Sequence, residues 1–302
     1  MGKIKKMILL AVLCFLSLTG QSQTADTLLQ NQKVQDTTNI RRDALDYASR
    51  QFAMVRPFNV EFSQVAPYSY TPKKDGVSLP ENKVSTYNQI KANANLYFLA
   101  KKKFTLGATF SYRYISADND FTIPSSGLVQ TLKDDFTYHS TSINFTYISK
   151  MFNKPFFLNT SLVVDGSEKH FERLKGLVIG TIVLKADKQT KLMAGIMVNV
   201  DPSTELPLLP MITYERKFNN GMKLDLMMPK QLLVRKQVLG RGRISLGTEL
   251  DRTGFYLYNV KGQLPSQRYE YRQIELDNGV IYEHLIGNYL ILTARTGAKW
   301  IA

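Results

Sequence analysis

The chain is 302 residues long, with 44% hydrophobic and 21% charged residues. An intrinsically disordered protein or a bundle of membrane helices is excluded, because each would move one of these figures far from the globular average. Aromatic residues make up 11%, with 16 Tyr and 16 Phe, which favours β-structure. Cys14 is the only cysteine, so a disulfide scaffold and a thiolate metal cluster are excluded as well.

Residues 1–23 predict a secretory signal peptide. Three lysines precede an apolar run of about 13 residues, which is too short to cross a bilayer as a helix. Small residues near the end of this segment predict cleavage after Ser22 or after Gln23. A lipoprotein signal at Cys14 is excluded, because Leu13 stands where lipidation needs a small residue. The mature chain is then cysteine-free, which suits an extracytoplasmic compartment.

The net charge of +14 falls to about +11 when the three signal lysines are removed. Such basicity raises the question of a nucleic-acid partner. The export signal and the absence of any nucleic-acid-binding motif make no nucleic acid the expectation. The nearest anionic partners outside the inner membrane are outer-membrane lipid and the phosphates of lipopolysaccharide.

Residues 24–57 are predicted to form a periplasmic N-terminal arm with a short helix over 41–54. Ala44, Ala48 and Phe52 recur at helical spacing within this segment. The sequence leaves open whether the helix enters or caps the domain that follows, or is a linker lying against its first turn.

From Phe58 onward, apolar residues recur at every second position. Phe104, Leu106 and Ala108, for example, are separated by small or polar residues, as is typical of half-buried strands. The pattern predicts thirteen strands, over 58–65, 84–99, 103–116, 136–150, 155–165, 174–185, 190–200, 209–218, 222–229, 231–238, 242–258, 268–283 and 288–300.

Strand length and turn length both favour a membrane barrel. Several predicted strands have ten residues or more, whereas ordinary strands average about 5–6 and membrane-crossing strands need about 9–11. Short turns alternate with longer loops, as they do between the periplasmic and outer ends of outer-membrane barrels. Asn220-Gly221 is the strongest hairpin signal, and it predicts a type I′ turn with positive φ at both residues.

The predicted fold class is therefore all-β: a transmembrane antiparallel up-and-down β-barrel of about 12–14 strands over residues 58–302, with the short N-terminal helical arm. Thirteen is an odd number, whereas bacterial single-chain barrels have even numbers of strands. Either one strand is wrongly split or the barrel lacks its final strand. The second account is preferred, because residues 299–302 do not end in the aromatic that the barrel-assembly machinery reads.

Two segments carry a resemblance to a known group of proteins. The signal ending Leu18-Thr19-Gly20-Gln21-Ser22-Gln23 resembles exported proteins of the Bacteroidota, and the stretch from Asn59 to Trp300 resembles one of their outer-membrane β-barrel families, classed as a domain of unknown function. The likeness covers about 240 residues, through hairpin pattern and not through a sharp motif. It implies an architecture and an outer-membrane location, and no active site.

If the apolar positions face lipid, the alternate positions line a lumen. One reading is a charged pore that selects small polar or ionic solutes; the other is a salt-bridge network that fills the interior. The candidate lumen residues are Lys91, Arg113, Glu215, Lys217, Asp225, Glu249, Asp251, Glu275, Asp277, Arg295 and Lys299.

Catalysis and cofactor binding are not expected. His139, His170 and His284 are the only histidines, and their spacing does not fit a metal site. Ser140 follows His139 directly, and adjacent residues of a strand point to opposite faces, so the two cannot form a dyad. Nine tyrosines near the predicted outer strand ends favour an aromatic girdle over a sugar-binding surface: Tyr68, Tyr70, Tyr112, Tyr114, Tyr138, Tyr256, Tyr258, Tyr269 and Tyr271.

The leading functional expectation is a channel or porin-like transporter for small polar solutes in the outer membrane. The alternative is a non-conducting structural or surface-interaction barrel whose outer loops bind a partner or a glycan. An outer-membrane enzyme and a soluble periplasmic β-sandwich are less favoured, the latter because of the long strands. The sequence leaves the oligomeric state open.

Overall fold

A computed structural model describes residues 49, 52–122, 127–201, 204, 206–258, 268–287 and 290–301, all within the compact unit Leu45–Ala302. The described chain is all-β and antiparallel, which confirms the predicted class. Its strands are β1 (Phe58–Val65), β2 (Tyr68–Tyr70), β3 (Lys73–Lys74), β4 (Val77–Ser78), β5 (Asn82–Ala100), β6 (Phe104–Thr122), β7 (Val129–Met151), β8 (Lys154–Gly166), β9 (Phe171–Ala186), β10 (Thr190–Val200), β11 (Leu208–Lys217), β12 (Met222–Met228), β13 (Gln231–Val238), β14 (Gly242–Tyr258), β15 (Arg268–Ile286) and β16 (Leu290–Ile301).

The strands follow one another up and down in a single sheet, in the order β1-β5-β6 and then consecutively to β16. All thirteen predicted strands are present along this path. Between the predicted strands 58–65 and 84–99, where no strand was predicted, the chain contains three short strands, of which β2 pairs with β5 while β3 and β4 pair with each other. β6 and β7 are also longer than predicted, because their hairpin stays paired as far as Thr122 and Val129.

The sheet curls so that one of its faces lies inside. Lys91 of β5 binds Asp251 of β14, although eight strands lie between these two in the sheet order. We call the face that carries Lys91 and Asp251 the inner face and the opposite one the outer face. The outer face is apolar and exposed, with Phe62, Leu246 and Trp300 at 65%, 59% and 69% exposure.

The hairpin turns follow from backbone conformations that few residues adopt. Phe152 and Asn153 both have positive φ (51° and 58°), as a two-residue type I′ turn requires. At the predicted type I′ turn only Gly221 has positive φ (77°), so the hairpin there is right and the turn type is wrong. The Gly221 N–H bonds the Phe218 carbonyl at 3.1 Å, which places Gly221 at the end of a longer loop.

The sheet is not closed, which corrects the predicted barrel. Among the described residues, β1 pairs only with β5 and β16 only with β15. Because the path has thirteen antiparallel strands, β1 and β16 run in the same direction and cannot continue the antiparallel pattern directly. The two ends of the sheet still approach each other, since Arg56, two residues before β1, binds Glu283 of β15 at 2.6 Å.

The predicted N-terminal helical arm is not supported. Most of residues 41–54, and all of the predicted signal peptide, lie outside the described residues. The part of the arm that is described ends in a single 3-10 turn, Ala53–Val55. Within the described chain, no helix is long and apolar enough to cross a membrane.

A row of three glycines lets adjacent strands approach on the inner face. Gly247, Gly279 and Gly297 are direct cross-strand neighbours in β14, β15 and β16. A Cβ at Gly279 would overlap the carbonyl oxygen of Thr296, and a Cβ at Gly247 would overlap the backbone of β13. Glycines at such positions permit sharp bending of a sheet.

Candidate functional site

The predicted lumen residues come together on the inner face, and ten of the eleven form ion pairs. Lys217 is the eleventh, and it lines a cavity near the β11–β12 turn. The pairs are Lys91–Asp251, Arg113–Asp251, Lys191–Glu215, Lys223–Glu215, Arg235–Asp225, Arg295–Glu249, Arg295–Asp277, Lys299–Glu275 and Lys299–Asp277.

Asp251 ties two distant parts of the sheet together. Its carboxylate accepts a hydrogen bond from Lys91 and lies 3.7 Å from the Arg113 guanidinium. Lys91 and Arg113 are direct cross-strand neighbours, a like-charged arrangement that is unfavourable by itself. The carboxylate from β14 compensates for that repulsion, so these residues bridge the interior.

Glu275 is fully buried at the centre of the inner face. Its carboxylate accepts hydrogen bonds from Thr253, from Gln273 at 3.0 Å and from Lys299. A side chain that lines a water-filled pore keeps contact with water, yet Glu275 and Thr253 are both 0% exposed. The interior is therefore filled with side chains at this depth.

The filling follows from the shortness of β13. β13 begins at Gln231, which pairs with Glu249, so the remainder of β14 extends past its neighbour. Side chains cap the backbone carbonyls that this leaves uncovered: Lys230 Nζ bonds the Leu250 carbonyl at 3.0 Å, and Arg113 bonds the Arg252 carbonyl at 2.9 Å. An edge capped in this way can lie against another part of the sheet.

The extended part of β14 and its partner in β15 pack inside the curled sheet. Phe255 and Tyr256 are consecutive, and both are buried, at 8% and 4% exposure. Because neighbouring strand residues point to opposite faces, both faces of the hairpin are covered. The Phe255 ring stacks on Phe136 of β7, with 4.1 Å between the ring centroids. The centroid of the Tyr256 ring lies 6.3 Å from that of Tyr138, which also belongs to β7. We call residues 251–258 and 268–275 the inserted hairpin.

A buried carboxylate anchors the inserted hairpin to the opposite strands. Asp165 of β8 is 0% exposed and accepts hydrogen bonds from the Tyr138 hydroxyl at 2.9 Å and the Tyr256 hydroxyl at 3.0 Å. Lys175 of β9 forms an ion pair with the same carboxylate. Four strands therefore meet at one acidic group.

A second group of charges joins the end of the inserted hairpin to β9. Arg173 binds Glu270 of the hairpin and also Asp201, the latter at 2.9 Å. Arg272 of the hairpin binds Glu270 at 2.6 Å. The acid–base pairing thus continues from the centre of the inner face to the loop end of the strands.

Sequence reasoning missed several of these residues. Asp165 is the last residue of the predicted strand 155–165, and Arg173 lies one residue before the predicted strand 174–185, where alternation no longer separates the two faces. Arg235 was missed because the inner positions of β13 mix Leu233 with polar residues, so the strand has no clear polar side. The two-residue turn after β12 could have indicated that Arg235 lies on the inner face, since this turn sets the register that aligns β13 with β12.

Three predicted girdle tyrosines have another role. Tyr138 and Tyr256 bind Asp165 inside the sheet, and Tyr258 binds Glu172 and lies 2.7 Å from the Ser167 hydroxyl. They are therefore internal hydrogen-bond donors and not part of an aromatic belt. Within the described ranges, no group of three or more His, Cys, Asp or Glu side chains could hold a metal ion.

The fold and the inner face define an antiparallel, all-β protein in which several polar groups of the inner face are buried and many large apolar side chains are exposed. Comparison with family models, with curated proteins and with solved structures finds no match to this chain.

Proposed function

We propose that this chain is an outer-membrane protein with an occluded interior, and that it serves as a structural or surface-interaction protein and not as an open channel. The observation that carries the proposal is the inserted hairpin, which crosses the space that a channel would need. Loops at that end of the strands would provide the surface for a partner or a glycan.

The membrane location is supported by the distribution of polarity. Apolar side chains such as Phe62, Ile143 and Leu246 are more than half exposed on the outer face. Soluble monomers rarely expose apolar patches larger than a few hundred Å². Strands that alternate apolar-out with polar-in are typical of membrane barrels. The predicted export signal and the resemblance to Bacteroidota barrels support the outer membrane as the location.

Occlusion is supported by the contacts across the interior. The hairpin bonds β6 through Arg113, packs on β7 through Phe136 and binds β8 through Asp165. Glu275 and Thr253 beneath these contacts have no surface open to water. Ion flow would require the hairpin to leave the interior.

A membrane location also sets a requirement on the sheet edges. Each unpaired backbone group costs about 4–8 kcal/mol when it is transferred fully from water into hydrocarbon. The edges of β1 and β16 must then be covered in the bilayer, either by each other or by a further strand.

Labelling of single cysteines tests the location. Cys14 is the only cysteine of the chain and lies in the predicted signal peptide, so Leu246→Cys and Lys188→Cys each introduce one reporter. Position 246 should react with a lipophilic maleimide but not with a water-soluble one, while position 188, in the β9–β10 turn, should react with both. Equal labelling of position 246 by the water-soluble reagent, in folded protein in membranes, would refute the location.

Planar-bilayer recording tests the occlusion. Folded mature protein, verified by a heat-dependent gel shift, should be electrically silent. A variant in which residues 251–275 are replaced by a two-residue turn should show conductance steps, whereas a variant shortened over 119–132 in the β6–β7 hairpin should stay silent. Steady steps from the unaltered protein would overturn the occluded state and favour the channel.

A further inference from the structure

A cavity of about 270 Å³ opens at the end of the sheet where the β11–β12 and β13–β14 turns lie, and its lining is basic. Five of its nine lining residues are lysine or arginine, and no acidic residue lines it. They are Lys217, Phe218, Gly221, Met222, Lys223, Arg235, Lys236, Gln237 and Arg243. Gln237 adds an amide donor, and Phe218 and Met222 add an apolar wall.

Three of the cations are direct neighbours across adjacent strands. Lys217 of β11 pairs in register with Lys223 of β12, and Lys223 pairs with Arg235 of β13. Like charges directly opposite each other destabilise a sheet, so such a row is unfavourable without compensating anions. Local arrangements that oppose stability are commonly found at functional sites.

The available carboxylates compensate only part of this charge. Glu215 binds Lys223 at 2.7 Å, and Asp225 binds Arg235 at 2.9 Å. Glu283 is shared among Arg56, Arg235 and Arg243. All three acids lie outside the lining, and each forms an ion pair with a cation that belongs to it.

Lys217 differs from the other two cations of this row. Within the described chain, no carboxylate lies within ion-pair distance of its ammonium group, and the side chain is exposed at the cavity. Lys217 is therefore the one cation of this row that no carboxylate of the described chain pairs.

We propose that this cavity binds a phosphate group, with Lys217, Lys223 and Arg243 as its contacts. A dianionic oxyanion supplies several acceptor oxygens to separate donors, and lysine and arginine are its usual partners. The volume lies slightly below the range of drug-sized pockets, about 300–1,000 Å³, which suits a small phosphate compound or a lipid headgroup. This inference goes beyond the proposed function and does not depend on the interior being occluded.

The test uses the full mature chain folded in an uncharged detergent, at constant ionic strength. Inorganic phosphate is titrated calorimetrically in one arm. In the other arm, the protein is mixed with phosphatidylcholine vesicles that contain or lack phosphatidic acid. Lys217→Gln removes the cavity cation that has no carboxylate partner, and Lys188→Gln removes one cation from the neighbouring β9–β10 turn as the matched control.

Saturable binding in either arm is expected, and Lys217→Gln should weaken it about tenfold, because a hydrogen bond to a charged group is lost. Lys188→Gln should leave it unchanged. Binding of inorganic phosphate would identify a free phosphate compound as the ligand, and binding of phosphatidic acid alone would identify a lipid headgroup. Absence of saturable binding in both arms, or equal weakening by the two variants, would overturn the proposal.

Discussion

Replacing Asp165 with Asn is expected to destabilise the protein by about 3 kcal/mol at neutral pH. The carboxylate is fully buried and holds Lys175 together with two tyrosine hydroxyls. Removing one partner of a buried ion pair costs about 3–5 kcal/mol, because the other charge is left uncompensated. The lower end applies, since the Lys175 side chain is 21% exposed and keeps a second carboxylate, that of Asp201, at 3.8 Å.

The hydroxyl contacts to Asp165 can be measured separately. Tyr256→Phe should cost about 1.5 kcal/mol, because one hydrogen bond to the charged carboxylate is lost. Since Tyr256 belongs to the inserted hairpin, combining it with Asp165→Asn forms a double-mutant cycle between the hairpin and β8. A coupling of about 0.5–3 kcal/mol is expected for residues in one network.

The assay is urea unfolding of detergent-folded protein, followed by the fluorescence of Trp300, the only tryptophan. Asp187→Asn, at an exposed carboxylate in the β9–β10 turn, is the control and should shift the midpoint far less, because solvent screens its charge. A loss below about 1 kcal/mol for Asp165→Asn would refute the reasoning, as it would mean that water reaches this carboxylate.

Three further outcomes are expected. Gly279→Val should abolish the heat-dependent gel shift, because its side chain would overlap the β16 backbone. Hydrogen bonds from the Thr190 and Gln189 backbone N–H groups, and then Lys185, lower the pKa of Asp187. At pH values above the usual Asp pKa of about 3.9, Asp187 therefore stabilises the turn. This effect is lost as the pH falls through the lower pKa of Asp187 in the folded state. The urea midpoints of Asp187→Ala and of the unaltered protein should therefore converge in acid. Asp251→Asn should cost about 3 kcal/mol in the same unfolding assay, because its two cations then face each other.

The strands were predictable because their signal is local. Alternation in segments such as Phe104–Tyr112 records which face of a strand is apolar, and this needs no knowledge of neighbouring strands. For the same reason the inner-face residues could be chosen by parity, and pairs such as Lys299 with Glu275 fall on that face. The predicted outer-membrane location stays a prediction.

The prediction of a type I′ turn at Asn220-Gly221 was wrong because a turn type does not depend on a local signal alone. The dipeptide indicates that Gly221 can adopt positive φ, but the length of the loop depends on where β11 and β12 stop pairing. Lys217 and Lys223 are the last pair in register, and five residues, Phe218 to Met222, lie between them. Register is a property of two strands together, so one short motif does not determine it.

The sequence alone determined the all-β class, the thirteen strands and the polar side of most of them, since each of these depends on periodicity within a single segment. Only the tertiary structure decided that β1 and β16 do not pair with each other in the described part of the chain and that the inserted hairpin fills the interior. Both depend on the length of one strand relative to its neighbours. β13 begins opposite Glu249, and the rest of β14 then packs against Phe136 and Asp165, which are more than 80 residues away in the chain. Contacts of that kind arise from the curvature of the whole sheet, which no single segment encodes.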